Sequence, residues 1–213
     1  MNIPVITGVI RRRILLNYRV APEAVARILP GQFQPKLMNG FAVAGICLIR
    51  LEHVRPKGLP SFMGISSENS AHRIAVEWED GQRDFKEGVF VPRRDTDSLL
   101  NALGGGRIFP GVHHHSRFHV KDDHGKISIR VEADGEDAPL VEIEAEESKH
   151  FPADSIFSSL EESSRFFEAG CVGYSSRPDS CKLDGLLLKV PEWSVTPLEV
   201  TLAKSSFFDD RAN

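Results

Sequence analysis

From Arg13 to Val20 apolar and polar residues alternate. Ile14, Leu16, Tyr18 and Val20 share one parity, while Arg13, Leu15, Asn17 and Arg19 share the other. A period of two predicts a strand over Ile14–Val20 with one apolar face, and Arg11 and Arg13 add to its polar face. Ala21-Pro22-Glu23 opens a short helix, Glu23–Leu29, because proline fits the first turn; Pro30-Gly31 stops it. Phe41–Leu51 is almost wholly apolar, which predicts a strand buried on both faces, although periodicity alone leaves a helix open. Arg55–Pro60 is a loop. Arg73–Trp78 and Glu87–Val91 are strands around Asp80-Gly81, joined by a tight hairpin or a longer loop.

Further along, Asp95-Thr96-Asp97-Ser98 supplies capping residues for a short helix, Leu99–Leu103, that Gly104-Gly105-Gly106 ends. His113–Val120, Lys126–Glu132 and Leu140–Glu146 alternate with a period of two across turns at 122–125 and 134–137, the pattern of an antiparallel meander. Ser155–Glu168 carries Ile156, Leu160, Ser163/Ser164 and Phe167 at helical spacing, with Gly170 just past its end. Short apolar runs follow at Leu186–Val190 and Leu198–Ala203, and Ser205–Asn213 is expected to fray. No repeat or linker interrupts the chain. The expectation is one domain over residues 1–213, mainly β (α+β), with a few short helices and a sheet wrapped to hide its edges.

Composition narrows the function classes. The chain has 213 residues, is 41% hydrophobic and carries a net charge of −4, which argues against a general nucleic-acid binder. Three cysteines, Cys47, Cys171 and Cys181, cannot all pair within one chain, so a reducing cytoplasm is the expected location. No apolar run reaches the ~18 residues of a membrane span. The apolar start precedes Arg11-Arg12-Arg13, the reverse of the order in a signal peptide.

Four clusters could carry chemistry. On a strand, His113, His115, Arg117 and His119 point one way, and two histidines at i and i+2 can share a metal. A third ligand would have to converge, with Glu68 or His72 the best choices; the expectation is no metal and no cofactor, partly because Arg117 shares that face. In Arg93-Arg94-Asp95, an arginine could hold a carboxylate bidentately, or the arginine and aspartate could brace each other. Glu68-Asn69 with His72-Arg73 is either an acid–base group or a buried network. Gly104-Gly105-Gly106-Arg107 lacks the Gly-Lys-Ser/Thr ending of a phosphate loop and follows a helix, so it is a helix stop. Cys171 and Cys181 have no metal-ligand spacing and are expected to be buried or inert.

Asn17-Tyr18-Arg19-Val20, Pro22-Glu23 and Ile28-Leu29-Pro30 resemble the opening of the acetoacetate-decarboxylase-like superfamily, and more closely its uncharacterised YqjF-like family. Arg55 to Pro60, Ser67-Glu68-Asn69, Gly88 to Asp95, Gly106 to Gly111, Val190 to Trp193 and Pro197-Leu198 extend the resemblance from about Arg11 to about Val200. It implies a β-cone or double barrel around a small central cavity. In the superfamily's decarboxylases a desolvated lysine forms a Schiff base with a β-keto acid. The matching stretch, Gly106 to His113, holds no lysine, so imine chemistry is not expected. A family arginine aligns with Arg11, or with Arg12 or Arg13 by register shift, and a family carboxylate aligns with Glu68. The expectation is a cytosolic protein that binds a small organic acid as a lyase-like enzyme without the lysine; the resemblance implies Arg11 and Glu68 in its site, and the reading of the residues adds Arg94, His113 and His115. The alternatives are a binding or structural protein with a vestigial cavity and a His-x-His metalloenzyme. Neither nucleic acid nor membrane is an expected partner, and a homo-oligomer is compatible with the sequence.

Overall fold

The structure is a computed structural model and describes residues 5–104, 111–135, 140–177 and 180–209. In chain order the elements are β1 (Ile6–Val20), α1 (Pro22–Ala26), β2 (Gln34–Pro35), β3 (Leu37–Met38), β4 (Phe41–Pro56), a 3-10 turn (Ser61–Met63), β5 (Ile65–Glu79) and β6 (Phe85–Thr96). They continue with α2 (Leu99–Gly104), β7 (His114–Asp123), β8 (Lys126–Ala133), β9 (Val141–Glu147), α3 (Leu160–Ala169), β10 (Val172–Arg177), β11 (Ser180–Leu187), β12 (Leu198–Ser205) and α4 (Ser206–Asp209). The chain is mainly β, as the periodicity predicts.

Hydrogen bonds run in the order β1-β4-β5-β6-β7-β8-β9-β12, with β10 joining β6 and β11. The link between β6 and β7 is parallel and only two residue pairs long, Asp95 with His114 and Thr96 with His115. It divides the ribbon into a half built on β1-β4-β5-β6 and the antiparallel meander β7-β8-β9-β12. The two halves close on each other. Ile14, Leu16, Ile46 and Leu48 from the first pack with Ile129, Val131, Val141 and Ile143 from the second. The opposite face of the first half packs under α3, where Val43 and Ala75 meet Phe157, Phe166 and Phe167. That β4 serves both cores explains its apolar run: every residue from 42 to 48 is buried.

Several strands run longer than their patterns indicate. β5 begins at Ile65 because its polar stretch Ser66–His72 pairs with β4 and β6 on either side. Backbone pairing needs no apolar signature. The Asp80-Gly81 turn is the longer loop, with Asp80 accepting from the amides of Gln82 and Asp84. α3 starts at Leu160, later than Ser155. Ser159 caps it by accepting from Glu162 N, and the Glu162 carboxylate takes the Ser158 amide, a capping box that fixes the start. Residues 206–209, expected to fray, form α4, because Phe207 and Phe208 are held against the ring of His72 at 4.7 and 5.4 Å.

His72 is fully buried between the halves, with Nε2 3.1 Å from Ser205 Oγ. Burial first, then the charge of Arg93, pushes its imidazole down to about 3 from an ordinary 6.5. Below pH ~6.5 the unfolded chain takes up a proton that the folded chain refuses, so stability falls as pH falls from 6.5 toward 3. Between pH 7 and pH 5 this single group should cost about 2 kcal/mol. Urea unfolding at the two pH values should show that loss in the wild type and not in His72→Asn. An equal loss in both would assign the acid sensitivity elsewhere.

Candidate functional site

The face of the first half that lies under α3 is a lattice set by strand register. Leu15 and Asn17 of β1 stand opposite Cys47 and Gly45 of β4. Cys47 and Gly45 stand opposite Ala71 and Arg73 of β5, and Ala71 stands opposite Arg94 of β6. Directly opposed residues share a face. One row therefore reads Leu15, Cys47, Ala71, Arg94, and the next Asn17, Gly45, Arg73. Arg13 lies one row further out on β1.

Glycine at position 45 lets Arg73 lie flat across β4 and donate from Nη2 to Asn17 Oδ1 at 2.6 Å. A Cβ there would run into the Leu16 carbonyl and sit 3.1 Å from that same Oδ1. The Arg73 guanidinium stacks 4.7 Å over Phe167 of α3, and that of Arg13 lies 4.9 Å over Trp193. Trp193 is fixed by donating from Nε1 to Ser164 Oγ at 2.8 Å. Arg94 donates from Nε to Ser175 Oγ at 3.1 Å. At Gly111 the φ is +77°, and a Cβ there would press on Ser175, so glycine is needed for both backbone and space.

The electrostatics of this face are one-sided. Arg73 is 7% exposed, and its Nε has no hydrogen-bond partner. Burial pulls its guanidinium down to about 10, Cys47 offsets part of that, and Arg13 adds to it. Burial likewise pulls Arg94 down to about 10, with Cys47 again the offsetting group. Neither arginine is influenced by a carboxylate among the described residues, and both stay charged near neutrality. His113 sits beside Arg94, and burial followed by that charge pushes its imidazole down to about 4, so the ring is neutral at pH 7. A small space of about 10 Å³, room for one water, adjoins Arg73 between Asn17, Lys36, Phe166 and Phe167. Lys36 is committed there, 2.5 Å from Glu87 and 4.2 Å over the Phe166 ring.

The five residues expected to bind together are dispersed. Arg94 and His113 meet on the face under α3. Glu68 pairs with Arg12 at 2.7 Å and Arg50 at 3.9 Å, and by register it belongs to the opposite face of the sheet. Arg11 is exposed: an irregularity in the β1–β4 pairing between Ile10 and Arg12 brings Arg12, rather than Arg11, to Glu68. His115 turns to Asp134 at 2.7 Å, apart from His113. Among the described residues no three His, Cys, Asp or Glu side chains converge as a metal site would require. Residues 106–110 of the stretch matched to the family lysine lie outside the described residues.

Arg93 and Arg94 resolve the two readings of their motif by facing opposite ways. Arg93 braces Asp95 at 3.0 Å, and Asp95 also accepts from Ser116 at 3.1 Å. Arg94 takes the face under α3, where it meets Ser175. Arg13, Asn17, Cys47, Arg73 and Ser175 are the members of the face that the sequence did not mark as a group. Strand parity already aligned Arg13 with Asn17, but the meeting of Cys47 with Arg73 and Arg94 depends on the β4-β5-β6 register, which leaves no local signature.

A mainly β ribbon whose two halves close on each other is also the fold of solved acetoacetate-decarboxylase-like proteins. An acetoacetate decarboxylase from Legionella pneumophila superposes with a TM-score of 0.60 at 15% identity, covering 97% of this chain and 78% of its own. An acetoacetate-decarboxylase-like enzyme from Sphingomonas wittichii gives 0.57 at 12% identity, covering 91% and 78%. The enduracididine biosynthesis enzyme MppR, solved with pyruvate, gives 0.55 at 13% identity, covering 92% and 77%. No curated protein matches the sequence. The chain belongs to the DUF2071 family of uncharacterized conserved proteins, whose model matches residues 9–211.

Proposed function

We propose that this chain binds a small organic acid by its carboxylate on the face formed by Arg73 and Arg94, with neutral His113 beside the second arginine. The observation that carries the reading is that neither guanidinium, Arg73 buried and Arg94 partly buried, has a carboxylate partner among the described residues. Leaving a charge buried and unpaired is costly, and a bound anion removes that cost. Guanidinium and carboxylate also match as planar forks. The MppR relative is described as a pyruvate complex, which makes pyruvate the first probe. Isothermal titration should show pyruvate binding and no binding of pyruvamide, its uncharged analogue. Equal affinity for the two, or no binding of pyruvate, acetoacetate or oxaloacetate, would overturn the reading.

An enzyme is favoured over a vestigial cavity because Asn17, Arg73, Arg94 and Ser175, from four strands, are hydrogen-bonded on one sheet face under α3. Its chemistry does not run through an imine, since Lys36, the lysine at this face, is held by Glu87. Borohydride treatment with acetoacetate should leave the intact mass unchanged; a trapped adduct on an internal lysine would refute this. Cys47 and Cys171 are free thiols, which fits a cytoplasmic location. No helix among the described residues is long and apolar enough to cross a membrane.

A further inference from the structure

We propose that the small space on the far side of Arg73 from Arg94 is a site for one chloride ion, held between the Arg73 guanidinium and the Lys36 ammonium under the rings of α3. The inference does not depend on the carboxylate reading above. It concerns another row of the sheet and a ligand of another size.

Strand register separates the two places. Arg94 stands in the row of Leu15, Cys47 and Ala71, and Arg73 in the next, beside Gly45 and Asn17. One row further on come Val43 of β4, two residues from Gly45, and Ala75 of β5, which pairs with Val89 of β6. The space of about 10 Å³ is lined by these three, by Arg73 and Lys36, and by Phe166 of α3. It takes a single particle of about the size of a water molecule. A carboxylate, with a carbon and two oxygens, is too large for it. Chloride is slightly larger than water, and the flexible Lys36 stem can yield to it.

The charges around this space call for an anion. Arg73 is 7% exposed, and its Nε–H has no partner among the described residues. The Asn17 amide is engaged at both ends, with Oδ1 receiving Arg73 Nη2 and Nδ2 donating to the Leu15 carbonyl. Val43, Ala75, Val89 and Phe166 bring no side-chain acceptor. Lys36 Nζ lies 4.2 Å over the Phe166 ring, so its ammonium borders the space, and Glu87 neutralises that lysine and not Arg73. Two cations thus face one carboxylate, and one positive charge is left over. A water molecule would accept from Nε–H and leave that charge standing. A monatomic anion accepts the same hydrogen bond and cancels the charge, which removes the cost of a buried, unpaired guanidinium.

Urea unfolding with chloride exchanged for isethionate at constant ionic strength tests the site, because isethionate is too large for the space. Above half-saturation, each tenfold rise in chloride should raise the folded-to-unfolded ratio of the wild type about tenfold, the mass-action limit for one site on the folded chain. The dependence should persist in Arg94→Met, on the other side of Arg73, and vanish in Arg73→Met. Should Arg73→Met not fold, diffraction from wild-type crystals grown in bromide decides instead: an anomalous peak should lie between Arg73 Nε and the Phe166 ring. A ratio insensitive to chloride, a sensitivity that survives Arg73→Met or is lost in Arg94→Met, or water alone at the bromide position would overturn the proposal. Pyruvate titration in isethionate buffer reads the other site separately. Pyruvate binding without a chloride effect would remove this inference alone, and a chloride effect without pyruvate binding would remove only the carboxylate reading.

Discussion

Replacing Asp95 by alanine should remove about 3 kcal/mol of folding stability, the low end of what breaking a buried ion pair costs. Asp95 has no exposed surface and holds Arg93 at 3.0 Å, while Arg93 keeps 21% of its side chain in solvent, which sets the low end. The loss has a second component. Asp95 accepts from Ser116 on β7, and its backbone forms half of the two-pair link between the halves of the ribbon. Urea unfolding measures the loss. Arg93→Met should cost a similar amount by leaving the carboxylate alone, and the double variant R93M/D95V should recover most of it, since two apolar groups leave no charge stranded. A single-variant cost below about 1 kcal/mol, or no recovery in the double variant, would show that the pair does not brace the junction.

Arg94→Met should act in the opposite sense on two measurements. Pyruvate binding should weaken by roughly 10- to 150-fold, the worth of a hydrogen bond to a charged group at about 1.5–3 kcal/mol. Stability without ligand should hold or rise, because the substitution removes a partly buried charge that no described carboxylate neutralises. Arg94→Lys should fall between wild type and Arg94→Met in affinity, since it keeps charge but loses the planar fork. Titration and urea unfolding on the three proteins separate a ligand-binding arginine from a structural one, which would lose stability when removed. A destabilised Arg94→Met with unchanged pyruvate affinity would assign Arg94 to the scaffold.

Those opposite expectations for adjacent residues show what the sequence could and could not reveal. Alternation along Ile14–Val20, Lys126–Glu132 and Leu140–Glu146 marked the strands, because one face of each is buried and period two records that directly. The same parity separates Arg93 from Arg94 once β6 is known to run through Thr96. Partners were another matter. Glu68 lies on the face of Arg12, and Arg73 on that of Asn17, through pairings across 56 residues of chain. A single irregularity between Ile10 and Arg12 was enough to substitute Arg12 for Arg11. The histidines illustrate the same limit, since His113 turns to Arg94 and His115 to Asp134 although i and i+2 on an ideal strand would agree. The strand begins only at His114, so His113 is not bound by its alternation.

Ala71 is the low point of its row. It is the one residue between Cys47 and Arg94, and neighbouring strands lie about 4.8 Å apart, so the two flanking backbones are separated by roughly 10 Å. The head of Arg94 turns away toward Ser175 and that of Arg73 toward Asn17, so a methyl is what rises between them. A bulkier side chain at 71 would raise that floor while leaving every charged group in place, and the size of what the face admits would then be set by a residue that carries no charge.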